Sequence, residues 1–261
     1  MMPGERLVLW CDGAHSPAEN MRRDGALLAA AADGRLPGTV LRVFQFAPHG
    51  ITLGLAQEAS TELDLTRVER DAIPWAVRPT GGRAIFHAQE WTFSLATRLG
   101  DAGWATDARA AYARTCALLE QAMRRLGAPV ALAHADHGDL GPRAGEQSAP
   151  PCFASTARHE LTIGGRKFAG IAQRRQGDSL LQQGSLLLGS GHLRLVDYQR
   201  IAPGARDAAR VALASASVDA GSHVGSDRRL ERFADAIAGA AGLSLERRET
   251  GAAGLSWLEL E

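Results

Sequence analysis

Three groups of residues in this 261-residue sequence have side chains and spacings that could do chemistry. The first is Cys152 with Lys167. A thiol with a pKa near ~8.5 is mostly protonated at neutral pH, and a nearby ammonium favours the nucleophilic thiolate. There are 29 basic side chains, and all but Lys167 are arginine. Arginine is a wider donor that does not give up its proton, so a site needing a compact ammonium is a reason to keep one lysine. Chance retention of the last lysine is the competing reading. The second group runs from Arg78 to His87, where Gly81 and Gly82 lie between two β-type runs. Adjacent glycines allow close backbone approach to a ligand, and Arg78, Arg83 and His87 supply donors for a polar or anionic group. An ordinary hairpin turn with exposed arginines has the same residue types, and the segment alone leaves both readings open. The third group, His134, Asp136, His137 and Asp139, has ligand-type side chains at a spacing that matches no established metal site, so a solvated polar turn is expected and no metal.

The elements that must position these residues alternate irregularly. A strand is expected at Leu7 to Cys11, then a helix from Ser16 to about Ala32, with Ser16 as N-cap, Pro17 in the first turn and Glu19 as a capping-box acid. Strands are expected at Thr39 to Phe46, Gly50 to Leu55, Trp75 to Arg78 and Ala84 to Phe86. Tyr112, Cys116, Leu119, Met123 and Leu126 form an apolar stripe at helical spacing from about Asp107 to Leu126, which makes Cys116 a core thiol. Ala135 to Pro151 reads as a long polar loop ending beside Cys152. Gly164 and Gly165 then join two β-type runs in a hairpin, in which Lys167 opposes Thr162 and shares a face with Ala169 and Ile171. Further strands are expected at Ser179 to Gln182, Ser185 to Leu188 and Leu193 to Val196. A last helix is expected from Arg228 to Ala241 with Leu230, Phe233 and Ile237 inward. The sum is an α+β fold, a mixed sheet flanked by helices, with a core unit over 1–200 and a small helical C-terminal piece over 201–261 packed on it.

Composition prunes the functions. With 29 basic against 29 acidic residues there is no basic footprint for nucleic acid and no polybasic membrane anchor. Cys11, Cys116 and Cys152 are too few and too scattered for a disulfide framework or a zinc ribbon, which suits a reducing compartment. The apolar run Leu7 to Cys11 is too short for a signal-peptide core, and no run approaches the roughly 18 apolar residues of a membrane span, so a cytoplasmic protein is expected. Phosphate-loop, dinucleotide-binding and serine-elbow signatures are all missing from the sequence.

Three stretches in order, RPTGGRAIFHAQEWTFSLA from Arg78, CFASTARHELTIGGRKFAGIAQRR from Cys152 and LLQQGSLLLG from Leu180, resemble the biotin/lipoate protein ligase superfamily. The likeness is greatest to its cysteine-dependent octanoyltransferases of the Bacillus type and spans roughly residues 5 to 200. It implies transfer of an octanoyl group from acyl carrier protein to a lysine of a lipoyl domain, such as the glycine cleavage H protein, through a thioester on Cys152. It makes Lys167 the catalytic ammonium and gives substrate contacts to Arg78, Thr80, Gly81, Gly82, Arg83, His87, Gly170, Gln173, Gln182 and Gly184. No cofactor is implied. ATP enters only if the chain is instead a lipoate-protein ligase. The resemblance also admits an amidotransferase between lipoyl domains, or a non-catalytic protein that binds an acyl chain or a lipoyl domain. Val77 stands where the family usually has a second arginine, Ile171 where it commonly has serine and Gln183 where histidine is frequent.

Overall fold

A computed structural model describes residues 6–100, 104–133, 160–242 and 244–249. In chain order the strands are β1 (Arg6–His15), β2 (Thr39–Phe46), β3 (Gly50–Leu53), β4 (Trp75–Val77), β5 (Ile85–His87), β6 (Glu90–Arg98), β7 (Ala131–Leu132), β8 (Leu161–Ile163), β9 (Arg166–Lys167), β10 (Ala169–Gln176), β11 (Ser179–Leu187) and β12 (Ser244–Glu249). The α-helices are α1 (Pro17–Ala32), α2 (Ala59–Glu62), α3 (Leu65–Arg70), α4 (Ala108–Arg125), α5 (Leu195–Tyr198), α6 (Arg206–Ala216), α7 (Gly221–Val224) and α8 (Leu230–Ala241).

Six strands make the central sheet in the order β10-β11-β6-β2-β1-β12. The sheet is mixed: β1 pairs parallel with β2 and with β12, and the other ladders are antiparallel. Parallel neighbours need a crossover, and α1 supplies the one between β1 and β2. Its start follows the expected cap, since Ser16 Oγ accepts from the Glu19 amide at 3.2 Å. Glu19 is not a capping-box partner; its carboxylate takes the Arg22 and Arg23 guanidinium groups instead.

Side-chain alternation assigns the two faces of the sheet. Leu9, Val43, Phe93 and Leu95 point to one face and bury against α4 and α8, together with Leu119, Met123, Phe233 and Ile237. Val8, Trp10, Val40 and Ala96 point the other way, onto Leu27 and Leu28 of α1. The result is a helix, sheet, helix-pair sandwich. Two three-stranded sheets, β4-β3-β5 and β7-β8-β9, flank it and carry the chemically interesting segments.

Several expectations are corrected. β11 is one nine-residue strand, not two. A Cβ on Gly184 would stand 2.4 Å from the Phe93 ring, so glycine lets the strand lie flat where a second side chain could not fit. Leu193 to Val196 is not a strand: a 3-10 turn (Ser190–Arg194) leads into α5. The hairpin keeps the expected register, Thr162 opposite Lys167, but its second run is divided. Phe168 donates to Leu161 O at 2.9 Å and accepts from the Leu187 amide at 3.2 Å, so the chain crosses there from the small sheet to the central one. Lys167 and Ala169 thus belong to different sheets. The central strand β6 was not anticipated, although Trp91, Phe93 and Leu95 alternate with Thr92, Ser94 and Ala96. The C-terminal piece is not purely helical, because β12 extends the central sheet beside β1.

Candidate functional site

A narrow cleft opens on the α1 face of the sheet, where β2, β6, β10 and β11 meet the small β4-β3-β5 sheet. Its walls are mainly apolar, from Met21, Phe44, Phe46, Ile85 and Ile171, and polar side chains converge at one end. Arg78, His87, Gly170 and Gly184 from the expected set all line it, as do Ile171 and Gln183, two of the departures from the family pattern. The third departure, Val77, lies exposed on β4.

Arg78 does something other than the expected anion binding. The side chain is buried, with Nε donating to Gly81 O at 3.0 Å and Nη2 to Gly81 O and Arg83 O, both at 2.8 Å. Its Nη1 lies 3.3 Å from Thr52 O. The guanidinium is therefore a clamp that shapes its own loop. Gly82, at φ +92°, completes that shape, since an added Cβ would meet Arg78 Nη2 at 2.7 Å. Arg174 Nη1 donates to Pro79 O at 3.2 Å from the side of β10. Thr80 is fully buried and donates to Gln183 Oε1 at 2.6 Å. Arg83 is half-buried at the edge of this loop.

His87 lies at the polar end of the cleft, stacked on Phe46 with ring centroids 3.9 Å apart. Its Nε2 is 2.7 Å from Thr52 Oγ1 and its Nδ1 is 2.6 Å from Glu90 Oε1. Thr92 and Ser185 donate to the same Glu90 oxygen at 2.8 and 3.0 Å. Beside this group is a buried charge network. Arg42 donates to Asp12 at 2.7 Å, to Asp24 at 2.6 Å and to Asn20 Oδ1 at 2.6 Å, with its guanidinium 3.8 Å from the centre of the Phe44 ring. Sequence reasoning missed Glu90, Ser185, Thr52, Asp24 and Arg42. The His87 and Glu90 spacing in the quoted motif was the one local signal available for any of them.

Other expected residues stand apart from the cleft. Gln182 faces α4, accepting from Thr115 Oγ1 at 2.6 Å, and its Nε2 donates to Gln173 Oε1 at 3.1 Å. Gln183, the next residue, faces α1, so strand alternation places Gln182 on the opposite side of the sheet. Lys167 is buried in the β7-β8-β9 sheet with its Nζ 2.6 Å from Glu160 Oε1. Cys152 lies outside the described residues, as does the cluster of His134, Asp136, His137 and Asp139. Cys116 is a core thiol as expected, its pKa pushed up to about 12 by burial.

The mixed-sheet architecture with its glycine loop and apolar cleft has counterparts among known proteins. Residues 16–239 match the model of the lipoyl protein ligase A/B catalytic domain, and the chain belongs to that family. Among curated relatives, an octanoyltransferase LipM of Moorella thermoacetica is 37% identical over 187 residues, covering 72% of this chain and 67% of its own length. One of Kyrpidia tusciae is 31% identical over 242 residues, covering 91% of this chain and 88% of its own. The match to an Exiguobacterium LipM spans 62% of that protein's length. A bipartite lipoate protein ligase of Thermoplasma acidophilum has the same fold, with a TM-score of 0.69 at 18% identity over 99% of this chain and 91% of the other.

Proposed function

We propose that this protein is an acyltransferase of protein lipoylation: it moves an octanoyl group from octanoyl-acyl carrier protein to a lysine of a lipoyl domain or of the glycine cleavage H protein. The relatives named octanoyltransferase support the reaction, and the apolar cleft ending in polar groups is the observation of this chain that carries it. At ~0.8 kcal/mol per buried methylene, each carbon removed from the acyl chain would weaken binding by roughly fourfold.

In the proposed chemistry the Cys152 thiolate attacks the thioester carbonyl of the donor and the carrier thiol leaves, which exchanges one thioester for another. The acceptor amine then attacks the acyl-enzyme, forms an amide and returns the cysteine. Lys167, which stands apart from the cleft and is paired with Glu160, is proposed to leave that carboxylate and meet the carbonyl oxygen as negative charge develops. The chemistry needs no nucleotide or metal. Arg78 favours this reading over ATP-dependent ligation, because its donors are committed to loop carbonyls and Val77 stands where a second arginine would be. A cytoplasmic site of action is part of the proposal. Among the described residues no helix is long and apolar enough to cross a membrane.

Incubation with octanoyl-acyl carrier protein should add one octanoyl group to Cys152, seen by peptide mass spectrometry, and Cys152→Ser should abolish both the adduct and transfer. No adduct in the wild type, with modification of a lipoyl domain by ATP and free lipoate instead, would establish the ligase activity in its place.

A further inference from the structure

We propose that Gln183 is a positioning residue for the transfer site: its side-chain amide ties Thr80 of the glycine loop to the buried pair of Asp24 and Arg42 and so fixes the loop at the mouth of the cleft. The proposal rests on the functional reading above and adds the device that holds the site in shape.

Thr80 Oγ1 donates to Gln183 Oε1 at 2.6 Å across 103 residues of sequence, and Gln183 Nε2 donates to Asp24 Oδ2 at 2.5 Å. The amide can point only one way. A carboxylate accepts and does not donate, so the nitrogen faces Asp24 and the oxygen is left for the hydroxyl. Behind Asp24 the chain is anchored on rigid elements: Oδ1 accepts from Arg42 Nη1 of β2 at 2.6 Å and from Ser94 Oγ of β6 at 2.7 Å. Arg42 is in turn held by Asp12 of β1 at 2.7 Å. Thr80, Gln183, Asp24 and Arg42 are all buried, so each of these bonds stands where water does not replace it. Arg78 grips the loop backbone at Gly81 and Arg83, and Gln183 grips the buried side chain of Thr80. Because Gln183 also lines the cleft, the same residue couples the loop to the surface on which an acyl chain would lie. An apolar chain gains nothing from an amide, and both of its polar ends are satisfied elsewhere.

Two variants test the role. Gln183→Met keeps length and bulk and removes both hydrogen bonds. Gln183→Glu imitates the amide only when its carboxyl is protonated, because that form has one donor and one acceptor. When ionised it offers no donor and opposes Asp24, with Arg42 facing that pair from β2 and Arg78 and His87 lining the same cleft. Like charge and burial favour a proton shared by such a pair, and the Arg42 guanidinium opposes this. Gln183→Met should lower kcat/KM for octanoyl transfer by about tenfold or more. It should also speed amide hydrogen exchange across residues 78–84 while leaving α1 and β6 unchanged. For Gln183→Glu the rate relative to wild type should be high at acid pH and fall as pH rises through the pair's titration. The proposal is overturned if Gln183→Met keeps wild-type kcat/KM and loop exchange, or if the Gln183→Glu rate relative to wild type does not vary with pH. Should Gln183→Met not fold, the Gln183→Glu profile decides alone. Should the wild type show no octanoyl transfer, the functional reading fails, and hydrogen exchange still decides whether Gln183 tethers the loop.

Discussion

Cys116 sits on the inner face of α4 with its thiol pushed up to about 12, chiefly by burial; a hydrogen bond with Tyr112 opposes the shift and the Glu160 charge adds to it. A thiol so far from ionising is a poor nucleophile. Iodoacetamide at neutral pH should therefore leave Cys116 unlabelled in the folded protein while it modifies Cys152, as read by peptide mass spectrometry. Labelling of both at similar rates would contradict the division of roles. Residue types were the easier part to read from the sequence, and residue roles the harder. Arg78 was singled out for its guanidinium, but what that group binds is set by carbonyls of Gly81, Arg83 and Thr52 that only the folded loop brings within reach. Glu90 could be suspected three residues from His87, whereas Asp24 and Arg42 had no local signal, because their partners come from distant strands and helices.

The elements that were read correctly have strong internal signals: α1 with its Ser16 cap, α4 with its apolar stripe and the Gly164-Gly165 hairpin. Those read wrongly are short apolar runs whose periodicity does not separate strand from helix. Leu193 to Val196 is one. Leu195 packs with Ile51 and Phe86 while Val196 packs with Ile85 and Leu187, a division between two clusters that a helical turn provides. His192, in the turn before α5, links this segment to the end of α6 through Ser217 Oγ at 2.8 Å. Burial lowers its pKa below the ordinary imidazole value of 6.5, against the opposing effects of Gly189 O, Glu90 and Asp219. The folded state thus takes up the proton less readily than the unfolded chain. The contribution is complete above about pH 6.5 and is lost as pH falls below that value, toward the lowered folded-state pKa, with a slope of at most about 1.4 kcal/mol per pH unit. Urea unfolding of His192→Gln should show a shallower loss of stability than wild type between about pH 6.5 and 5. Parallel curves would remove His192 from the account.

At the scale of the whole molecule, the C-terminal segment and the sheet share one core. Phe233 of α8 stacks on Trp91 of β6 with centroids 5.0 Å apart and planes 2° from parallel, and Trp91 Nε1 donates to Arg228 O at 2.9 Å. Phe233→Ala would empty a fully buried site between sheet and helix pair, and it should cost about 3–5 kcal/mol in reversible urea unfolding. A loss under about 1 kcal/mol would mean that α8 packs only loosely on the sheet. The strand β12, which follows α8 and pairs with β1, was illegible in the sequence, because a parallel partner at a sheet edge leaves no turn or hairpin signature next to it.

The sequence by itself determined the class of fold, the family, the segments that carry the site and the core role of Cys116, because these follow from local patterns of residue type along the chain. Only the tertiary structure decided which of those residues meet. Gly170, Gly184, His87 and Arg78 come together on one cleft, while Gln173 and Gln182 turn to the opposite face. Gln183, a departure from pattern in the sequence, becomes the link between the glycine loop and a buried ion pair. The physical reason is the two-residue period of a strand: neighbours at 182 and 183 differ little in sequence signal and stand on opposite sides of the sheet.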